Sequence, residues 1–236
     1  TPPPPPTPRD SIRRQRQMCI RDRAYPAELI DAYIDGQFVN LKSGTVYYAF
    51  RRKRHDTTQK IEYKEPLHIG MDFNVGKMAA KVFVIRGNDE WHCVDEVVDA
   101  FDTPAMITII NDRYSDHHIT VYPDSSGAGR KTNDASNSDI VLLRAAGYRL
   151  RYNPSNPLIK DRVMAVNKRF QDGKLFVSSA RCSNAVDDLE QQSYDKNGMP
   201  DKTSGNDHGN DAFGYPIAHL FPIKRPMLKM ETSYVS

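Results

Sequence analysis

Leu67-His68-Ile69-Gly70-Met71-Asp72-Phe73-Asn74 is the stretch that decides the architecture. Leu67, Ile69, Met71 and Phe73 fall on one face and His68, Gly70 and Asp72 on the other, the period of a β-strand. A charge beside so apolar a strand is costly unless a cation or another partner satisfies it, which singles out Asp72. Residues 78–86 and 91–98 are two further β-like runs, separated by the turn Gly87-Asn88-Asp89. Thr103-Pro104 then opens a helix to residue 114, with threonine as N-cap and proline at the first helical position. A short buried strand over 119–122 ends at Pro123-Asp124, and a helix over 136–146 is stopped by Gly147. A strand over 148–152, an amphipathic helix over 158–170, a strand over 175–177 and a helix over 184–194 follow, and the segment 207–221 closes the series. Three consecutive strands followed by crossovers imply an α/β fold: a mixed sheet of five or more strands with helices on both faces.

At 236 residues, 39% hydrophobic and 27% charged, the chain can bury a core but is too polar for a membrane protein. It has no uncharged apolar run of about 18 residues, the length of a transmembrane helix. Three widely spaced cysteines make neither a disulfide framework nor a zinc motif, and a reducing setting is expected. The net charge of +3 is carried by the first 23 residues, whose six arginines and two aspartates leave the remainder near neutral. Global charge is therefore no argument for nucleic-acid binding.

Thr1 to Pro8 is nearly all proline, and the run Gln17-Met18-Cys19-Ile20-Arg21-Asp22 resembles the translation of a transposon end used to fragment DNA for sequencing. Residues 1–23 are accordingly expected to be a disordered tail and an assembly artefact, with the true N-terminus missing; a disordered basic arm is the alternative. Residues 24–66 contain short β-prone runs (Tyr33 to Val39, Gly44 to Phe50) and the charged connector Arg51-Arg52-Lys53-Arg54-His55, too little for an independent domain. They read as a linker, residues 67–222 as the folded domain and residues 223–236 as a C-terminal tail.

The acidic residues matter by placement. Asp72 and Asp124 both follow apolar strands, and if those strands are parallel neighbours both carboxylates sit at one C-terminal edge, where α/β sheets place their sites. Asp207 and Asp211, spaced i and i+4, share a face of the last helix. Carboxylates from two strand ends and a helix suit a pair of hard divalent cations, Mg²⁺ or Mn²⁺, which prefer oxygen ligands. Asp207 has a ready structural role at the helix N-terminus, whereas Asp211, one turn further in, is best explained by a cation. Lys160, Arg162, Lys168 and Arg169 on one helix, and Arg130 and Lys131 in the loop after Asp124, are candidates for contacts with DNA phosphates, with a solvated surface as the alternative.

Gly70-Met71-Asp72-Phe73-Asn74, Tyr122-Pro123-Asp124-Ser125-Ser126-Gly127 and Asp207-His208-Gly209-Asn210-Asp211-Ala212-Phe213-Gly214-Tyr215, in this order, resemble the nuclease half of a tailed-phage terminase large subunit, an RNase H-like domain. Residues 33–47 resemble the segment joining motor to nuclease in that family, so 24–66 would be the linker from a missing ATPase domain; no GxxxxGKS or GxxxxGKT loop is present. The resemblance implies a two-metal endonuclease that cuts concatemeric double-stranded viral DNA in the host cytoplasm, transiently at the procapsid portal. Portal and small terminase subunit would be its protein partners. Asp72, Asp124 and Asp211 would be the catalytic, metal-binding carboxylates, with Asp207 a further metal ligand and His208 nearby. Another RNase H-like phosphotransferase (a resolvase or transposase) and a non-catalytic DNA-binding or portal-docking module are the alternatives. Pro216 removes a backbone donor and is expected to kink or end the last helix.

Overall fold

The computed structural model describes residues 44–74, 76–125, 138–203, 205 and 207–223. The expectations for residues 1–43 and the tail from 224 onward, and those for Arg130 and Lys131, lie outside the described residues. Strands β1 (Leu67–Asp72), β2 (Met78–Arg86), β3 (Glu90–Ala100), β4 (Ile119–Pro123), β5 (Arg149–Leu150) and β6 (Leu175–Val177) form one sheet in the order β5-β4-β1-β2-β3-β6. β1, β2 and β3 are an antiparallel meander, while β4 joins β1, β5 joins β4 and β6 joins β3 in parallel. The mixed, doubly covered α/β sheet is thus observed, with six strands among the described residues.

The alternation of the opening stretch explains the layers. Leu67, Ile69 and Met71 enter the main core with Ala80, Val82, Val94 and Val121, closed by Met106 and Ile110 of α2 (Thr103–Tyr114) and Leu143 of α3 (Asp139–Ala145). The opposite face is covered by α4 (Ile159–Gln171), α5 (Ser183–Gln191) and α6 (Asp207–Leu220). Gly70 is what lets α6 lie directly on β1, because a Cβ there would collide with the carbonyl oxygen of Ala212. That carbonyl is the one Pro216 leaves without its helical donor. With β1 packed against it, the helix continues through Pro216 to Leu220 rather than ending early.

Other departures have equally local causes. The cap of α2 is Asp102, whose side chain accepts from the Ala105 N–H at 2.9 Å, so Thr103 is already helical. The connector after Arg51 is a short helix, α1 (Arg52–His55), that buries His55 against Phe50 and Phe170. Residues 46–49, expected to be strand, form a turn held by Asn167, which accepts from Ala49 N–H and donates to the Val46 carbonyl. Among the described residues no helix is long and apolar enough to cross a membrane.

Candidate active site

Parallel pairing of β1 with β4 sets Met71 against Pro123, and the Asp124 N–H donates to the Met71 carbonyl at 3.0 Å. Asp72 and Asp124, one residue further along each strand, therefore stand opposite each other at the same C-terminal edge. α6 begins above this edge, which brings Asp207, His208 and Asp211 to it.

Asp72 is 6% exposed. Burial, together with the charges of Asp211 and Asp124, pushes its carboxyl up to about 6, against the opposing pull of His208. His208 Nδ1 donates to Asp72 Oδ2 at 3.0 Å while its Nε2 accepts from the Asn74 amide at 2.7 Å, and the Tyr215 hydroxyl donates to Asp72 Oδ1 at 3.5 Å. The Asn74 contact fixes which imidazole nitrogen faces the carboxylate. Asp124 is oriented by Asn156, whose amide donates to Oδ1 at 2.5 Å. Asp211 lies one turn into α6 and accepts a hydrogen bond from Arg162 Nη2, a partner the sequence reading did not foresee. Burial raises its pKa and Arg162 opposes the rise.

Arg162 itself is corrected. Expected on an exposed basic face of α4, it is buried, packed across Gly214 and stacked over the Tyr215 ring at 4.8 Å. Arg169 is likewise buried and bound to Asp89, whereas Lys160 and Lys168 remain at or near the surface. Helix α4 turns Arg162 inward because Val163, Val166 and Phe170 on the same side enter the core. The sequence points to neither Arg162 nor Asn156 as a partner of these acids, since both contacts join elements remote in the chain.

Asp207 is buried at the start of α6, and its Oδ1 has no hydrogen-bond partner among the described residues, with His208 Nε2 at 3.8 Å. A buried carboxylate oxygen left in this way calls for a cation. Among the described residues no three acidic, histidine or cysteine side chains converge as a ready-made metal site. The Arg162 guanidinium is paired with Asp211, and the His208 imidazole is hydrogen-bonded to Asp72. The donors are hard oxygens, the chemistry Mg²⁺ and Mn²⁺ prefer.

A mixed sheet with two strand-end aspartates and a helix that adds two more defines an RNase H-like domain with an acidic centre. Residues 69–220 match the family described as the terminase RNaseH-like domain, and the chain belongs to that family. The resolvase and transposase alternatives are set aside by this match. The large terminase of a thermophilic bacteriophage, solved in complex with ATP-gamma-S, is similar in structure, with a TM-score of 0.63 and 18% identity over 91% of this chain and 53% of that one. The chain therefore spans about half the length of that relative. The P22 large terminase nuclease domain gives a TM-score of 0.59 at 15% identity, covering 78% of this chain and 96% of that one. The large terminase nuclease of thermophilic phage G20c with bound cobalt gives 0.51 at 14%, covering 73% and 96%. No curated protein matches the chain by sequence.

Proposed function

We propose that this chain is the metal-dependent endonuclease domain of a DNA-packaging terminase, cutting concatemeric double-stranded DNA with two Mg²⁺ or Mn²⁺ ions. The observation that carries the reading is the placement of Asp72 opposite Asp124 beneath the acidic first turns of α6, within a terminase RNaseH-like domain. Cobalt bound to the G20c nuclease supports a divalent ion at this fold's site. Asp72, Asp124 and Asp211 would hold the ions, with Asp207 beside them. When bound, such ions supply Lewis-acid stabilisation of the attacking and leaving oxygens of a phosphodiester.

The chain's own residues prepare that chemistry. Asn156 aims Asp124, and Tyr215 and His208 pin Asp72, so the carboxylates are held before any ligand arrives. Arg162 neutralises Asp211 and must release it for that carboxylate to bind an ion. Residues 24–66 would link this domain to an ATPase motor, and portal and small subunit would be partners of the whole terminase, acting in the host cytoplasm.

Plasmid DNA incubated with the chain should be nicked or cut in Mn²⁺ or Mg²⁺ and spared in excess chelator. Cleavage that persists in chelator sinks the reading, and a well-folded chain that binds DNA without cutting in either metal points to the non-catalytic module instead. Calorimetric metal titration of Asp211→Asn and Asp207→Asn assigns the ligands: Asp211→Asn loses cleavage outright, and Asp207→Asn loses part of the rate or of the stability.

A further inference from the structure

A cavity of about 830 Å³ lies at the opposite end of β1 and β4 from the acidic edge. Its walls include His68, Trp91, Tyr122, Arg149, Arg151 and Phe221. Partner residues in a parallel pair project to the same side of a sheet, and register pairs His68 with Thr120 and Thr120 with Arg149. His68, Tyr122, Arg149 and Arg151 therefore share the face that carries Asp72. α6 runs along this face from the acids to the cavity: His208 meets Asp72 at one end, and the His219 ring packs on Tyr122 at 5.7 Å at the other. α6 lies over β1 and β2 and reaches β4 through the His219–Tyr122 contact, with β5 at the edge of the sheet beyond β4.

The charge in this cavity is one-sided. Neither Arg149 nor Arg151 has an ion pair or a side-chain hydrogen bond to an acid among the described residues. Asp89, the acidic residue in the wall, is already bound by Arg169 at 3.0 Å. The two imidazoles beside Arg151 are neutral near pH 7: burial first, and the Arg151 charge second, hold His68 down at about 4 and lower His219 as well. What remains is two guanidiniums, a planar fork suited to phosphate, with hydroxyl and imidazole groups beside them. Arg149 is level with His68, four residues or about 13 Å along the strands from Asp72, and Arg151 is two residues nearer, at about 7 Å. Base pairs rise about 3.4 Å, so these are about four and about two base-pair steps along a duplex.

We propose that Arg149 and Arg151 form a phosphate-binding subsite for duplex DNA, gripping the backbone about two to four base pairs from the bond presented to the acidic edge. The proposal rests on the nuclease reading and names where its substrate is held. The subsite is independent of sequence, because the contacts are to phosphate, and it fixes the register of the duplex on the acids.

The full chain is titrated against a fluorescein-labelled duplex in chelator over a range of potassium chloride concentrations, as wild type, Arg149→Gln/Arg151→Gln and Arg149→Lys/Arg151→Lys. The glutamine pair should bind more weakly, with the slope of log affinity against log salt shallower by about 1.8, about 0.9 for each phosphate no longer neutralised. The lysine pair should keep the wild-type slope, and in Mn²⁺ the KM for DNA of the glutamine pair should rise. Wild-type slope and affinity in the glutamine pair overturn the proposal. Trp91, the chain's one tryptophan, lines the cavity and reports on inorganic phosphate by its fluorescence. If the glutamine pair loses a phosphate response at Trp91 yet keeps wild-type duplex affinity, the cavity takes free phosphate and the DNA assignment falls. The binding slope is read without cleavage, so a wild type that binds but never cuts refutes the nuclease reading while the slope still judges the subsite.

Discussion

Asp72→Asn should stabilise the metal-free protein while abolishing cleavage. In the folded chain the Asp72 carboxyl is pushed from 3.8 up to about 6, chiefly by burial and then by the Asp211 charge. Keeping it ionised at pH 7.5 therefore costs the folded state about 3 kcal/mol relative to the unfolded chain. Asparagine fills the same volume and carries no charge to desolvate; its Oδ1 can still accept from His208 while its amide N–H donates to the Tyr215 hydroxyl oxygen, so about 1–3 kcal/mol of stability should be gained at pH 7.5. The folded protein binds this proton more tightly than the unfolded chain. Wild-type stability should accordingly rise as pH falls through about 6, with the gain complete below 3.8. The advantage of the asparagine variant should shrink over the same window. Asp188, also raised to about 6 by burial, contributes a parallel rise in both proteins and cancels in the comparison. Urea denaturation in chelator at pH 7.5 and at pH 4.5 measures the difference, and plasmid cleavage in Mn²⁺ measures the activity. A variant less stable than wild type at pH 7.5, or a gap between the two that is the same at both pH values, refutes the account of Asp72 as a strained, cation-seeking carboxylate.

Removing Arg162 should have the opposite sign. Arg162→Gln leaves Asp211 without its buried partner and should cost about 3–5 kcal/mol in chelator, with divalent cations restoring more stability than they do in wild type; equal metal-induced shifts in melting temperature would contradict the idea that Arg162 stands in for a metal ion. Gly70→Ala drives a methyl group into the Ala212 carbonyl, so α6 must lift from β1, and a loss of about 1–3 kcal/mol or more is expected with cleavage reduced; a variant with wild-type melting and activity would show that the helix does not lie where described. Lys81 is fully buried, 2.5 Å from Glu96, which in turn accepts from the Asn184 and Ala185 N–H groups at the start of α5. Lys81→Met should therefore cost about 3–5 kcal/mol in thermal or urea unfolding by stranding Glu96, and Lys81→Met/Glu96→Leu should recover part of it.

Local periodicity carried much of this protein. Alternation over residues 67–73 set β1 and its buried face, Gly87-Asn88-Asp89 set the hairpin, and the order of the motifs around Asp72, Asp124 and Asp211 pointed to the terminase resemblance. Such features depend on neighbours within a few residues, which is why a linear reading reaches them. Single side chains near element ends were less legible: Asp102 and Thr103 are both good caps, and only the backbone path chose Asp102. The rest depended on contacts between distant parts of the chain. Parallel pairing of β1 and β4, some fifty residues apart, put Asp72 beside Asp124. Packing of α4 against α6 turned Arg162 away from solvent and onto Asp211, reversing its expected role. The Arg149–Arg151 rim exists only because β5 adds to the outer edge of β4 beyond the cover of α6. Helix facing and strand order are chosen by the total apolar surface that can be buried, a property of the whole fold that no window of sequence contains.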